Sequence, residues 1–450
     1  MRICQLKLSG FRNYRELDFV PGEGLNILYG ANAQGKTNVL EALSLLATTR
    51  SLRASRESEL IARDSEMAHV VAEVLREREG DAELQVSVFQ TDKKAVRVNG
   101  LKRPRVIDLL GQFNAVFFGS IDLAIVTGEP SDRRHYLNIE ISQISPRYVY
   151  DLGHYKRVLE QRNRLLKDLR DRPRPPQESG LDAWNAQLVH FGAPIFEKRR
   201  FYIERLAPIA ERIHRDLTDG KESLEIRYLP SIPLPPPPGP KSEIPEAVQE
   251  TTPEARYLAQ AQAESAVESA PPIAPESPLS GTEAIESAFR DQLRLIAADE
   301  ARRGTTLLGP QRDDIGFFIN GAEARIYGSQ GQQRTVVLTL KLAEFQLIED
   351  YVGEPPVMLL DDVMSDLDDV RRKRLLAWVR RRCQTFVTCT NLRAFPKEIL
   401  AEATTFHVVA GTVMPDGPRT TRPPKQLPNS EPAPAPAGSA TDVPASDRSA

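Results

Sequence analysis

The sequence predicts an α/β fold in which one strand-and-helix domain is written in two halves, separated by an inserted helical arm. Three observations predict it. A glycine-rich run, Gly30-Ala31-Asn32-Ala33-Gln34-Gly35-Lys36-Thr37, sits near the start of the 450-residue chain. A short apolar run from Val357 to Leu360 ends in two carboxylates, Asp361 and Asp362, near the other end. Two long helix-periodic segments lie between them.

The first half reads as strands with one helix. Cys4, Leu6 and Leu8 alternate with polar neighbours, as do Leu84, Val86 and Val88. Asn99-Gly100 after Val96-Arg97-Val98 marks a hairpin turn. From Ser145 to about Arg170 the period becomes helical, enough for a helix about 40 Å long, and Pro173, Pro175 and Pro176 end it. A second helical stretch covers Leu181 to Leu217, with kinks expected at Pro194 and Pro208. The two form an antiparallel arm. Helix returns from Ala284 to Arg302, and strands and helices then alternate to Val409. Of 35 prolines, 13 fall between Pro230 and Pro278 and nine more follow Gly411. Such stretches bury too little apolar surface to offset the entropy of ordering them. The expected division is therefore 1–118 and 283–410 for the split domain and the end of the arm, 119–229 for the arm, 230–282 for a disordered Pro-rich insert and 411–450 for a disordered tail.

Composition excludes several classes. Hydrophobic residues at 40% and charged residues at 27% suit a globular chain. No apolar run reaches the roughly 18 residues of a membrane span. Met1 to Ser9 has no apolar leader region, so the expected location is the cytoplasm. Cys4, Cys383 and Cys389 are scattered and suggest neither disulfides nor a metal site, only apolar filler in strands. Net charge is −3, so bulk charge does not announce a nucleic-acid partner. Its distribution allows a basic face, because Arg50, Arg53 and Arg56 cluster, as do the cations between Arg147 and Arg174. A solvated helix surface accounts for these runs equally well.

The chemistry starts at the phosphate loop. Leu25 to Tyr29 reads as the strand before it, and Val39, Ala42, Leu43 and Leu46 as the helix after it. Glycines there let backbone N–H groups approach phosphates, and the helix N-terminus adds a positive dipole end. Gly30 to Thr37 would wrap the phosphates of ATP, with Lys36 reaching the β- and γ-phosphates and Thr37 ligating Mg²⁺. Asp361 stands at the tip of a buried strand and would hold the same Mg²⁺, while Asp362 would orient or deprotonate an attacking water. Lys36 and Asp362 are the expected catalytic pair. Ser329-Gln330-Gly331-Gln332-Gln333-Arg334 precedes the helix-spaced Val336, Leu340, Ala343 and Leu347. Ser and Gly at a helix start suit anion capture, though an ordinary N-cap reads the same way.

These motifs resemble the RecF family, whose heads are of the ABC/SMC type. The resemblance rests on the phosphate loop, Ser329–Arg334, and Leu-Leu-Asp361-Asp362 with Ser365-Asp-Leu-Asp368. Gly10-Phe-Arg-Asn-Tyr14, Arg133-Arg134, Gln161-Arg-Asn163 and Gly309-Pro-Gln-Arg-Asp-Asp314 extend it. It runs from Met1 to about Leu229 and from about Glu283 to Val409. It implies an ATPase head split by an arm, in which Ser329 and Gly331 meet the γ-phosphate of ATP held by another protomer. It further implies an ATP-dependent homodimer that binds single-stranded, gapped or junction DNA; by charge and position the candidate DNA contacts are Arg50, Arg53 and Arg56, just after the phosphate-loop helix, and the Lys and Arg of the arm. Partners implied are RecO and RecR, and the role implied is RecA loading, DNA repair and replication, and SOS induction. Slow, DNA-dependent ATP hydrolysis would act as a timer, since Asp362 is one methylene shorter than the Glu usual in transporter ATPases. The sequence departs from the family at Gln311, at Gly119-Ser-Ile-Asp122 and at Asn391. A transporter ATPase would need another signature, and a tethering SMC protein a far longer heptad coil.

Overall fold

The computed structural model describes residues 1–78, 80–175, 178–236 and 281–416. Most of the expected Pro-rich insert and of the expected tail lies outside the described residues.

Strands arise where the sequence alternates or runs continuously apolar, and they sort into three sheets. The first orders β2 (Tyr14–Phe19), β1 (Arg2–Phe11), β4 (Met67–Leu75), β5 (Ala82–Phe89), β6 (Lys94–Val98) and β7 (Leu101–Lys102), all antiparallel. The second orders β15 (Thr412–Pro415), β14 (Thr404–Val409), β3 (Leu25–Tyr29), β13 (Thr385–Cys389), β12 (Val357–Asp361) and β8 (Ala115–Gly119), parallel except for β15. A small antiparallel sheet joins β11 (Ala322–Glu323), β10 (Asp314–Ile319) and β9 (Leu224–Leu229). The hairpin expected at Asn99-Gly100 forms, with φ of 53° and 74° at its two residues, the pair of positive values that a tight twisted turn needs.

The central parallel sheet is buried on both faces, and its period-2 pleat divides its side chains between two cores. Leu28, Val357, Leu359 and Phe386 face α1 (Lys36–Thr48) and the antiparallel sheet. Ile27, Met358, Leu360 and Val387 face the helices on the other side. Those helices are α2 (Pro130–Ile144), α3 (Pro146–Asp171), α4 (Leu181–Leu217), α5 (Thr282–Leu295), α6 (Ala297–Arg303), α7 (Gln330–Val352) and α8 (Asp369–Val379).

The arm is the antiparallel pair α3 and α4. Tyr148 meets Arg199, and Arg162 meets Asn185, so sequence distance along one helix reverses along the other. Ser145 caps α3 by accepting from Tyr148 N. Helix α4 runs 37 residues, about 55 Å, and remains one helix through Pro194 and Pro208. Each proline removes a helix hydrogen bond, and the buried Ala193, Ile195, Phe196 and Ala210 beside them hold the segment in place. The expected Ala284–Arg302 helix is two, α5 and α6, meeting at Ile296. The base of the arm shares one hydrophobic core with α7 and the parallel sheet, so Leu137, Phe196 and Leu206 pack with Leu338, Leu342 and Leu360.

Three details differ from the sequence expectation. Strand β15 pairs with β14, so folded structure enters the stretch expected as tail. At the start of the Pro-rich stretch Ile232 is buried and Pro235 O accepts from Arg200 Nη1 at 2.7 Å. Cys4 is exposed and Cys383 lies in a turn before β13; only Cys389 is the buried strand filler expected, its thiol pushed up to about 12 by burial.

Candidate functional site

The loop Gly30–Thr37 connects β3 to α1 at the carboxyl end of the parallel sheet, where ligands of open α/β sheets bind. Gly30 has φ of 149°, and a Cβ there would stand 2.4 Å from Val408 O, so no other residue fits. Lys36 Nζ donates to Gly30 O and Ala31 O, both at 2.8 Å. Burial pushes its ammonium below the usual range, against the opposing pull of Asp362.

Strand β12 delivers its two carboxylates to this loop. Asp361 Oδ1 accepts from Thr37 Oγ1 and from Thr388 Oγ1, each at 2.7 Å. Asp362 takes the left-handed conformation (φ 54°), which turns it out of the strand. Its backbone N–H donates to Thr388 Oγ1 at 2.9 Å, and its Oδ1 accepts from Ser365 Oγ at 3.0 Å. Lys36, Thr37, Asp361 and Asp362 are thus brought together from positions more than three hundred residues apart. Thr37 and Asp361 are hard oxygen donors, which fit Mg²⁺ that keeps waters and takes its remaining ligands from phosphates. Among the described residues no cluster of three His, Cys, Asp or Glu forms a complete protein metal cage.

A second tier of residues grips the loop and its helix, and apart from Gln34 and Arg53 the sequence assigned it no role. Arg12, in left-handed conformation, turns β1 into β2 and presents Asn13 and Tyr14. Tyr14 donates to Gly35 O at 3.0 Å and Asn13 Nδ2 to Gln34 O at 2.9 Å. Gln34 Oε1 accepts from Ala410 N at 2.7 Å. Arg12 makes a two-pronged bond to Glu41, on α1, at 2.7 and 2.9 Å, and Arg53 adds a third contact at 3.1 Å. Burial pushes the Glu41 carboxyl up, but hydrogen bonds from Arg12 and Ser51 and the charges of Arg12 and Arg53 hold it below the usual range. The only signal for this tier was the Gly10–Tyr14 run.

Ser329 and Gly331 are not part of that cradle. Ser329 caps α7 with Gln332 in a reciprocal box, and both Ser329 and Gly331 are exposed. Ile326 and Tyr327, just before them, are 64% and 74% exposed. Arg334 Nη1 donates to Asp366 O at 3.0 Å, and Ser120, after β8, donates to Asp366 Oδ2 at 3.3 Å. These contacts place the Ser329–Arg334 helix, the Ser365–Asp368 loop and the Gly119–Asp122 loop on one surface. Asp122 does not face the cradle. Its carboxylate is buried, accepts from Gly119 N at 2.8 Å and pairs with Lys341 of α7 at 3.4 Å.

Gln332 is held in turn. Its Nε2 donates to Glu222 Oε1 at 2.9 Å, and Glu222 Oε2 lies 3.2 Å from Nε2 of the fully buried His214. His214 Nδ1 meets Thr339 Oγ1 at 3.1 Å. The end of the arm helix is therefore hydrogen-bonded through Glu222 to the start of α7. Nothing in the sequence marked either residue. Replacing Glu222 by Ala should cost about 1–3 kcal/mol, read as a lower melting temperature. Burial, outweighing Glu222, depresses the imidazole, so the unfolded chain binds a proton that the folded chain does not. Stability from this site is lost as pH falls below about 6.5, and the Glu222→Ala variant should lose more in that window. An equal pH response in both proteins would contradict this.

Other motif residues brace the arm. Arg162 is buried among Glu300 (2.6 Å), Thr306 (2.7 Å) and Asn185 (2.9 Å). Arg133 grips Asp314 through two bonds, and Tyr155 donates to Gln311, the residue that departs from the family pattern. Asn391 caps a short turn after β13. Part of the arm's basic run is paired: Arg147, Arg170 and Arg174 meet Asp151, Asp171 and Asp168. Of the expected DNA contacts, Arg53 is tied to Glu41, while Arg50 and Arg56 are exposed. Burial, then the charges of Arg50 and Lys156, push the His135 imidazole below its usual range.

A split head with a phosphate loop, a carboxylate pair on the neighbouring strand and an exposed Ser-Gly helix start defines an ATPase head of the ABC/SMC class. Residues 2–410 match the family described as the RecF/RecN/SMC N terminal domain. The chain is 38% identical over 413 residues to the DNA replication and repair protein RecF of Oceanobacillus iheyensis, covering 92% of this chain and 100% of that one. It is 36% identical to the RecF of Bacillus mycoides, over 92% and 98% of the two chains. A solved structure described as the recombination mediator protein RecF-ATP in the RecFOR pathway superimposes with a TM-score of 0.75 at 31% identity, covering 92% of this chain and 97% of that chain. The chain belongs to the RecF family.

Proposed function

We propose that the chain is an ATP-dependent DNA-binding recombination mediator that dimerises on ATP. The observation that carries this reading is the split of one ATP-handling apparatus between two surfaces of the same chain. Lys36, Thr37, Asp361 and Asp362 form a phosphate cradle, while Ser329 and Gly331 stand exposed beside the apolar Ile326 and Tyr327. A second copy supplies what each cradle lacks, and the exposed Ile326 and Tyr327 become buried at the junction.

In this reading Lys36 leaves the Gly30 and Ala31 carbonyls for the β- and γ-phosphate oxygens, and the loop N–H groups hold the rest. Mg²⁺, held by Thr37 and Asp361, would neutralise charge on the phosphate oxygens. Asp362 orients the attacking water. One of its oxygens is already engaged by Ser365, so only part of the carboxylate is free, which supports slow turnover. Arg334 and Asp366 transmit closure between the signature helix and the Ser365–Asp368 loop. Single-stranded, gapped or junction DNA is the proposed polymer ligand, and RecO and RecR the proposed partners in RecA loading and SOS induction.

Sedimentation velocity with ATP and DNA tests the assembly. The wild type should sediment as a dimer with ATP and as a monomer without it. Ser329→Arg should remain monomeric while still binding nucleotide, because the bulky cation stands in the interface and not in its own cradle. A wild type that stays monomeric with ATP and DNA at high concentration sinks the dimer.

A further inference from the structure

We propose that a basic groove beside the β6–β7 hairpin holds the phosphodiester backbone of DNA; this rests on the DNA-binding reading above. The groove encloses about 610 Å³ between the β5–β6 turn and the segment following β7. Lys93, Lys94, Lys102 and Arg103 line it, against a single carboxylate, Glu66. Lys94 is committed elsewhere, to Glu57 and to Thr49 O, both at 2.5 Å. Lys93, Lys102 and Arg103 are exposed and have no ion-pair partner among the described residues.

In a chain of net charge −3, three exposed cations without such a partner around one concavity are a local feature and not a bulk one. The floor is apolar, with Phe89 and Met67 partly open to the groove. Cations at the rim and an aromatic on the floor are the combination that follows a sugar-phosphate chain and gives an exposed base a face to lie on.

Position strengthens the assignment. The bond from Lys94 to Thr49 O and the bond from Ser58 N to Asp92 (2.8 Å) fasten the β5–β6 turn to the segment that carries Arg50, Arg53 and Arg56. The groove therefore lies beside that segment, near the end of the helix that begins at Lys36. A basic edge also discourages edge-to-edge pairing of sheets, which explains Lys102 and Pro104. It does not explain Lys93, which stands on the turn across the groove. An acidic peptide fits less well, since β7 is two residues long and followed by Pro104, too short an edge to add a peptide strand.

The test is the triple variant Lys93→Ala/Lys102→Ala/Arg103→Ala, with Lys93→Gln/Lys102→Gln/Arg103→Gln as a second form that keeps side-chain bulk. Binding of a fluorescein-labelled DNA duplex bearing a single-stranded tail is measured with ATP over a salt series. Each lost phosphate contact lowers the slope of log affinity against log salt by about 0.9. The wild type should therefore lose about 40-fold more affinity than the variants between 50 and 200 mM salt. Nucleotide affinity and melting temperature should be unchanged. Variants with wild-type affinity and slope overturn the groove assignment while leaving DNA binding intact. A wild type that does not bind the DNA overturns the underlying reading instead. Variants that keep DNA but lose a fluorescent polyglutamate peptide would reassign the groove to an acidic protein partner.

Discussion

Asp313→Ala is expected to destabilise the protein by about 3–5 kcal/mol, the cost of leaving a buried charge without its partner. Arg199 is 2% exposed and Asp313 fully buried. Arg199 donates to Asp313 Oδ2 (2.8 Å), Tyr148 OH (3.0 Å), Asn138 Oδ1 (3.0 Å) and Pro310 O (2.5 Å). Asp313 also accepts from Tyr228 and from Ser231 N. Removing the carboxylate leaves a guanidinium, a phenol and a backbone N–H underserved in a place water does not reach. The pair also joins α2, α3, α4 and the Gly309–Asp314 turn, so its loss loosens the base of the arm. Gly309 there has φ of 125°, and a Cβ would stand 2.1 Å from Tyr155 OH, so the turn requires glycine at that position.

Urea unfolding measures this, with Trp184 on α4 and Trp378 on α8 as fluorescent reporters of arm and head. Because the arm base and the head share a core, both reporters should change together in the wild type. Replacing both partners, Arg199→Met with Asp313→Leu, should cost less than the two single changes summed, since no lone charge then remains. A loss below about 1 kcal/mol for Asp313→Ala would mean that the surroundings rehydrate the arginine.

The second large effect is on turnover. Lys36→Arg should lower ATP hydrolysis by about 10²-fold or more, the scale found when one preorganised charge is lost from a phosphate or oxyanion site. The Lys36 ammonium is small enough to sit between Gly30 O and Ala31 O, at 2.8 Å from each. A planar guanidinium has a different shape and cannot take that position without displacing the loop. The cradle has two carboxylates, Asp361 and Asp362, so misplacing its lysine leaves the phosphates facing negative charge. Phosphate release under single-turnover conditions, beside equilibrium binding of a fluorescent ATP analogue, separates the chemical loss from the binding loss. A variant that turns over within about threefold of wild type (a barrier change under about 0.7 kcal/mol) would remove Lys36 from the reaction.

The phosphate cradle was legible because its constraints are local. A glycine pattern, a lysine and a threonine at fixed spacing can do little else between a strand and a helix. The apolar run before Asp361 was legible for a similar reason, since a strand buried on both faces must be apolar throughout. The arm helices declared themselves by period, and their ends by Ser145 and the prolines near 173. The break at Ile296 carried no such mark, because neither neighbour is a helix breaker.

Motifs were easier to see than to interpret. Arg133, Arg162 and Asp313 sit in runs that resemble the family, yet their side chains brace the arm and its base and hydrogen-bond to no phosphate-loop residue. Asp122 stood where a contact to the nucleotide site was uncertain, and its carboxylate is buried against Lys341 instead. The charge run from Arg147 to Arg174 read as basic, and the structure pairs four of its cations, Arg147, Arg162, Arg170 and Arg174, with carboxylates.

By itself, then, the sequence determined the class of fold and the strand, loop and helix that carry Gly30 to Thr37, because each depends on residue types at short spacing or on a regular period. Only the tertiary structure decided what lies beside what. It joined Thr37 to Asp361, tied Gln332 through Glu222 to His214, left Ser329 exposed, and gathered Lys93, Lys102 and Arg103 around one groove. The physical reason is that a hydrogen bond or an ion pair depends on distance in space, and sheet order and helix packing set that distance with no trace in local spacing.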